Sequence, residues 1–323
     1  MLKIFEQIFR LDTRSSPSYP AELIRRATER VVDATDPRIR ILSSYEKKMR
    51  SAVIHAIDHV VQLVGELSEP VPMSNADWSS RAIISAMFAS GDSLRTAVAC
   101  DCACNDFVAV NPHFAEPVTA LLLAKLSLRH TYGYDLVDDK TVSDAPLTVV
   151  SFDQHRLIGL ATNEAETRRL LQLRAFDYLL VLALKEITEV KEQRQDLIAR
   201  KRLLKTKLDI VSRSSGSLID EPRLADRKNL QQKMDEVEAA LRAVGADDTV
   251  LQRNLELTVA TLAAAKDRVW LENRVLCIDN MHYLRAAEHE KATELTLQML
   301  CDSNAHEMVV QLVTIPPEIF SGR

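Results

Sequence analysis

From Leu173 onward, apolar residues recur at steps of three and four through Phe176, Leu180, Ala183, Ile187, Val190, Leu197, Leu204, Leu208 and Val211. Only Arg194 and Lys201 interrupt the row. After the polar run Ser214, Ser215, Gly216, Ser217, the same step resumes. It passes through Leu230, Met234, Val237, Leu241, Val244, Leu251, Leu255, Leu262, Ala265 and Val269, broken by Asp248 and Thr258. A row repeating every 3.5 residues keeps facing a partner helix, so residues 163–275 predict an antiparallel coiled-coil hairpin. Each leg would extend roughly 75 Å at about 1.5 Å per residue. Asn163 and Glu166 stand at the spacing of a capping box at its entry. Gly245 invites a break in the second leg, but the heptad phase from Val244 to Leu251 runs through it unshifted and favours continuity. If residue numbers across the hairpin sum to about 442, Leu173 meets Val269, Leu208 meets Met234 and Arg194 faces Asp248. A sum of about 435 suits the short turn better but sets Ile187 against Asp248.

Residues 1–130 read as a helical bundle. Leu2, Phe5, Ile8 and Phe9 share one helical face. Pro20 can open a helix from Ala21 to about Ala34. A long helix follows Pro37, with Ile39, Met49, Val53, Ile57, Val60 and Val64 at helical spacing, and Pro70 and Pro72 stop it. Further helices are expected from about Asn75 to Ala89, from Asp92 to about Asp106, and from about Pro117 to His130. The texture then turns to β: Tyr134 to Val137, Leu147 to Phe152 and Arg156 to Leu160. Beyond the arm, Leu295, Leu297 and Met299 alternate with polar residues, and Met308 to Ile315 completes a β-hairpin. Val275 to Leu284 fits either the end of the arm or another strand. The expected fold class is therefore α+β, predominantly α. Its parts are an N-terminal helical bundle over 1–130, a small β-sheet platform from 131–162 and 276–323, and the projecting arm.

Seven glycines in 323 residues leave few places for phosphate-cradling loops, which weighs against a nucleotide-dependent enzyme. A net charge of −5 does not suggest a nucleic-acid binder overall. No segment reads as a signal peptide or membrane span, and five cysteines suit reduced thiols, so a cytoplasmic protein is expected. Cys100, Cys102 and Cys104 offer thiolates, but alternate positions on a helix diverge by about 200°, which points to apolar fillers rather than a metal site. His55 and His59 lie one turn apart without a third ligand and read as a partly buried pair. No metal and no cofactor are expected.

Gly91-Asp92-Ser93-Leu94 resembles the nucleophile block of the GDSL-type esterases, and Asp279-x-x-His282 resembles that family's closing block. The resemblance implies Ser93 as nucleophile with Asp279 and His282 completing a triad. It covers only short, scattered matches. Asn105 follows Ser93 by twelve residues where the family has a long interval, and no strand–helix alternation builds the parallel sheet. The same residues serve as a helix stop at Gly91 and a helix cap at Asp92 or Ser93.

Charge on the arm changes the picture most. Between residues 200 and 233 stand ten basic residues: Arg200, Lys201, Arg202, Lys205, Lys207, Arg213, Arg223, Arg227, Lys228 and Lys233. Four acids accompany them, so the distal arm carries +6 and the rest of the chain −11. Such a tip steers towards an acidic partner, although exposed coiled coils also carry charge merely to stay solvated. No aromatic residue lies in this stretch, which disfavours stacking on single-stranded bases. The expected function is that of a non-catalytic cytoplasmic scaffold or adaptor whose arm meets an acidic protein surface, without membrane contact. The chain would act as a homo-oligomer or as a subunit of a larger assembly. A nucleic-acid- or ribosome-associated factor is the alternative, and a GDSL-like serine hydrolase stands third.

Overall fold

The computed structural model describes residues 19–74, 82–112, 114–137, 140–213, 221–244, 249–289 and 292–320. They fall into two compact units. A sheet unit holds Ile57–Phe176 together with 265–320, and a helical unit holds 19–56 with Asp177–Ala264.

The helices are α1 Ala21–Ala34, α2 Tyr45–Gly65, α3 Ala82–Met87, α4 Gly91–Cys100, α5 Cys102–Val110, α6 Glu164–Arg213, α7 Glu221–Val244, α8 Val250–Ala263, α9 Ala265–Arg268 and α10 Pro317–Phe320. The strands are β1 Val71–Pro72, β2 Val118–Val137, β3 Lys140–Ala161, β4 Val269–Ile278, β5 Thr293–Asp302 and β6 Glu307–Ile315. They form one sheet in the order β3-β2-β6-β5-β4, antiparallel throughout, with the short β1 added in parallel beside β6.

The sheet has a core on each face, which explains its least legible strand. Along β2, Ala120, Leu122 and Ala124 enter a cluster with Ile84, Met87, Phe88, Leu94, Val98 and Cys104 of the short helices. Leu121, with Leu123 beside it, enters the opposite cluster, with Val64, Leu67 and Leu171. The β6 strand divides in the same way, Val309 and Val313 to one face and Val310 and Leu312 to the other. A strand buried on both faces loses its polar alternation and shows as an unbroken apolar run. The helix expected from Pro117 to His130 is therefore corrected to a strand between two neighbours. The expected strands at Tyr134–Val137, Leu147–Phe152 and Arg156–Leu160 fall within β2 and β3, and the hairpin expected around Leu297 and Met308 is β5–β6.

Polar contacts fix how the elements meet. Asp101 divides the helix expected from Asp92 to Asp106 into α4 and α5. One carboxylate oxygen accepts from the Cys104 amide at 3.0 Å, and the other accepts from the Leu157 amide of β3 at 3.0 Å. Arg168, in the first turns of α6, donates to the Val64 carbonyl at 2.7 Å and the Leu67 carbonyl at 3.3 Å, capping the end of α2, where the Leu67 amide reaches the Val64 carbonyl only at 3.4 Å. Gly159 adopts φ +69°, and a Cβ there would stand 3.1 Å from Leu171, so glycine lets β3 pass close to α6.

In the helical unit, α1 begins behind Pro20 as the sequence predicts and buries Leu23, Ile24, Ala27, Val31 and Val32. Asp36 caps the 3-10 turn Pro37–Ile41 that follows. Its carboxylate, only 4% exposed, also meets Arg38 at 2.9 Å, Asn254 of α8 at 2.7 Å and Lys191 of α6 at 3.7 Å. Thr261 of α8 donates to Glu186 of α6 at 2.9 Å, so these two helices lie side by side. The α6 helix runs 50 residues, roughly 75 Å. The returning leg is shorter than expected: it ends at Ala263, and Val269 opens β4. The expected pairing of Leu173 with Val269 as helical positions is thereby corrected, as is the arm's extension to 275. The expected continuity through Gly245, and Asp248 as the counterpart of Arg194, lie outside the described residues.

Candidate partner-binding surface

The distal part of α6 and the following α7 carry their own small core. Leu204, Met234 and Val237 are buried together, with Leu197, Leu208, Leu230 and Leu241 packed against them. These are the row positions of both legs, so the side chains that the 3.5-residue pattern selects do meet. Where the row is interrupted, Lys201 reaches Glu238 of α7 at 2.9 Å. Arg242 lies 3.7 Å from the same carboxylate. Lys201 first, and Arg242 more weakly, hold the Glu238 carboxyl below its usual range.

The remaining basic residues stand elsewhere on the two helices. Arg200, Arg202, Lys205 and Lys207 are exposed on α6, as are Arg227, Lys228 and Lys233 on α7. Arg213 is the last residue of α6, and Arg223 lies near the start of α7. Of the eight whose side chains are described, Lys201 alone pairs with an acid across the two helices. Whereas the exposed Val181 and Leu184 lie further back on α6, two large apolar residues share the exposed surface of its distal part, Leu203 at 56% and Ile210 at 61% exposure. The hydrophobic pattern passes over them because they lie off the seam. Their separation of seven residues, the same as that between seam positions, was the available signal.

The other candidates are occupied by structural duties. Ser90 caps α4 by accepting from the Ser93 amide at 3.1 Å, and Ser93 Oγ accepts from the Ser90 amide at 3.1 Å and donates to the Ser90 carbonyl at 2.7 Å. Ser93 is thus half of a capping box, and the cap is Ser90 rather than Asp92 or Ser93. Asp279 accepts from the Met281 and Tyr283 amides at 2.9 Å each and from Arg285 Nε at 2.8 Å, in the turn that binds β3 through Leu284. Burial opposes its charge, yet Arg285 and the two amides hold its carboxyl below the usual range. His282 adopts φ +61° in that turn. With Ser85, Asp279 and Thr293 it lines an open cavity of about 450 Å³.

His59 is buried and donates to the Val269 carbonyl at 2.8 Å, whereas His55 is exposed, so the two do not act as a buried pair. Cys104 fills the core beneath the sheet while Cys100 and Cys102 are exposed. Among the described residues no three histidine, cysteine or acidic side chains converge as a metal site. Nor is any described helix long and apolar enough to cross a membrane. His155 stacks on Phe88 with ring centroids 4.5 Å apart, and burial pushes its imidazole below the usual range.

Comparison with protein-family models, with curated proteins and with solved structures gives no match.

Proposed function

We propose that the protein is a non-catalytic cytoplasmic scaffold or adaptor in which α6 and α7 form an antiparallel coiled-coil hairpin that presents a basic surface to an acidic macromolecular partner. The carrying observation is the division of labour among the basic residues. Lys201, at a seam position, is neutralised from within the hairpin by Glu238. Arg200, Arg202, Lys205, Lys207, Arg227, Lys228 and Lys233 point to solvent from the same two helices. Leu197, Leu204 and Leu208 of α6 share one cluster with Leu230, Met234, Val237 and Leu241 of α7, which supports the hairpin. An acidic protein surface suits the exposed apolar residues among these charges, whereas a nucleic-acid partner would use the charge alone.

The test reverses R200E, R202E, K205E and K207E together. Reversal takes the distal arm from +6 to −2, and partner capture from cytoplasmic extract, with and without nuclease, should then collapse at low salt while helicity is retained. Unchanged capture would overturn the proposal, and capture that vanishes with nuclease would move it to nucleic acid.

A further inference from the structure

Leu203 and Ile210 do not lie on the surface at random. At about 100° per residue they fall within about 20° of one another, and about 130° around α6 from the row that meets α7. Arg200 and Lys207 each precede one of them by three residues, so Arg200, Leu203, Lys207 and Ile210 make one ridge at steps of three, four and three. With Leu208 and Met234 at equivalent heptad positions, Lys207 and Lys233 both precede them by one. In an antiparallel pair these positions flank the same side of the seam. That side therefore carries like charges next to an apolar ridge, and no acidic side chain pairs with Arg200, Lys207 or Lys233 among the described residues.

We infer that this ridge docks an amphipathic helix of a partner protein, one whose apolar residues recur at heptad spacing and are flanked by glutamate or aspartate. The inference rests on the arm being the partner-binding surface and specifies what binds there. Heptad-spaced leucine and isoleucine are what a third helix would pack against, and the flanking cations select acidic neighbours by removing a repulsion. A second copy of the same ridge would set Arg200 and Lys207 against their own kind. A phosphate backbone would draw nothing from Leu203 or Ile210, and no aromatic residue lies in the stretch from Arg200 to Lys233 to hold bases.

The full chain is titrated with a fluorescent peptide of about four heptads carrying leucine at two seam positions and glutamate beside them. The comparison probes are an isomer of that peptide with the leucines out of phase, duplex DNA, duplex RNA, and phosphatidylcholine–phosphatidylserine vesicles. The in-phase peptide should bind about ten-fold or more tighter than its isomer, and L203Q/I210Q should remove about ten-fold of its affinity with helicity unchanged. R200E/K207E should abolish binding. Equal binding of the two peptides, or indifference to L203Q/I210Q, would overturn the inference while charge-dependent capture left the scaffold reading standing. Tighter binding of the duplexes or vesicles than of the peptide would overturn the inference and also move the arm's partner from protein to nucleic acid or to a lipid surface. Indifference to R200E/K207E would overturn both.

Discussion

Asp36 shows how much a single side chain organises here. Its hydrogen bonds to Arg38 are the leading reason its carboxyl is lowered from 3.8 to about 2, with the Arg38 amide and Asn254 adding to the effect and burial opposing it. An acid depressed by folding stabilises the native state above its unfolded pKa, and loses that contribution as pH falls through the native value. Stability should therefore decline between about pH 4 and pH 2, by roughly 2 kcal/mol from this residue. Asp36→Asn should lower stability by a similar amount at neutral pH and flatten the acid limb, as urea melts at pH 7 and pH 2.5 would show. A mutant whose acid limb keeps its slope would assign the transition to other carboxylates. Neither Asp36 nor Asp101 announces its role in the sequence, because each joins groups that lie far along the chain: Asn254 for one, Leu157 for the other.

The elements differ in how local their causes are. The α4 capping box is a matter of four consecutive residues, and Ser90→Ala should cost about 1 kcal/mol, measurable by thermal melting. The β2 strand depends instead on β6, β3 and two cores. Leu122, 1% exposed in the larger cluster, should cost about 3 kcal/mol or more on replacement by alanine, as large-to-small changes do in well-packed cores. Leu203→Ala, on an exposed face, should change stability by under about 0.5 kcal/mol. Urea melts of these variants would separate the two kinds of apolar residue, and a costly Leu203→Ala would mean that the ridge already has an occupant within the chain.

On the scale of the whole molecule, charge is sorted along the chain: the distal arm carries +6 and the remainder −11. Partner capture should fall steeply with salt, because exposed charges are screened beyond about 10 Å at 0.1 M ionic strength. Excision of residues 197–249, with a short Gly-Ser link between the legs, removes a cluster that shares no residue with the two cores of the sheet. Circular dichroism should record fewer helical residues, amide exchange in β2 and β6 should stay slow, and capture should be lost. Fast exchange in those strands would show that the sheet depends on the arm. By itself the sequence determined the helix from Ala21, the long helix α6, the meeting of Leu204, Leu208, Met234 and Val237, and the exposure of Arg200, Arg202, Lys205, Lys207, Arg227, Lys228 and Lys233. Helical periodicity and solvation are local, and they are written in residues three to seven apart. The tertiary structure alone decided that Val118–Val137 is a strand, that Val269 leaves the arm for the sheet, and that Lys201 belongs to Glu238 while its basic neighbours face outward. An apolar run burying both faces carries no period to read, and a charge is taken or free only according to what another element sets beside it.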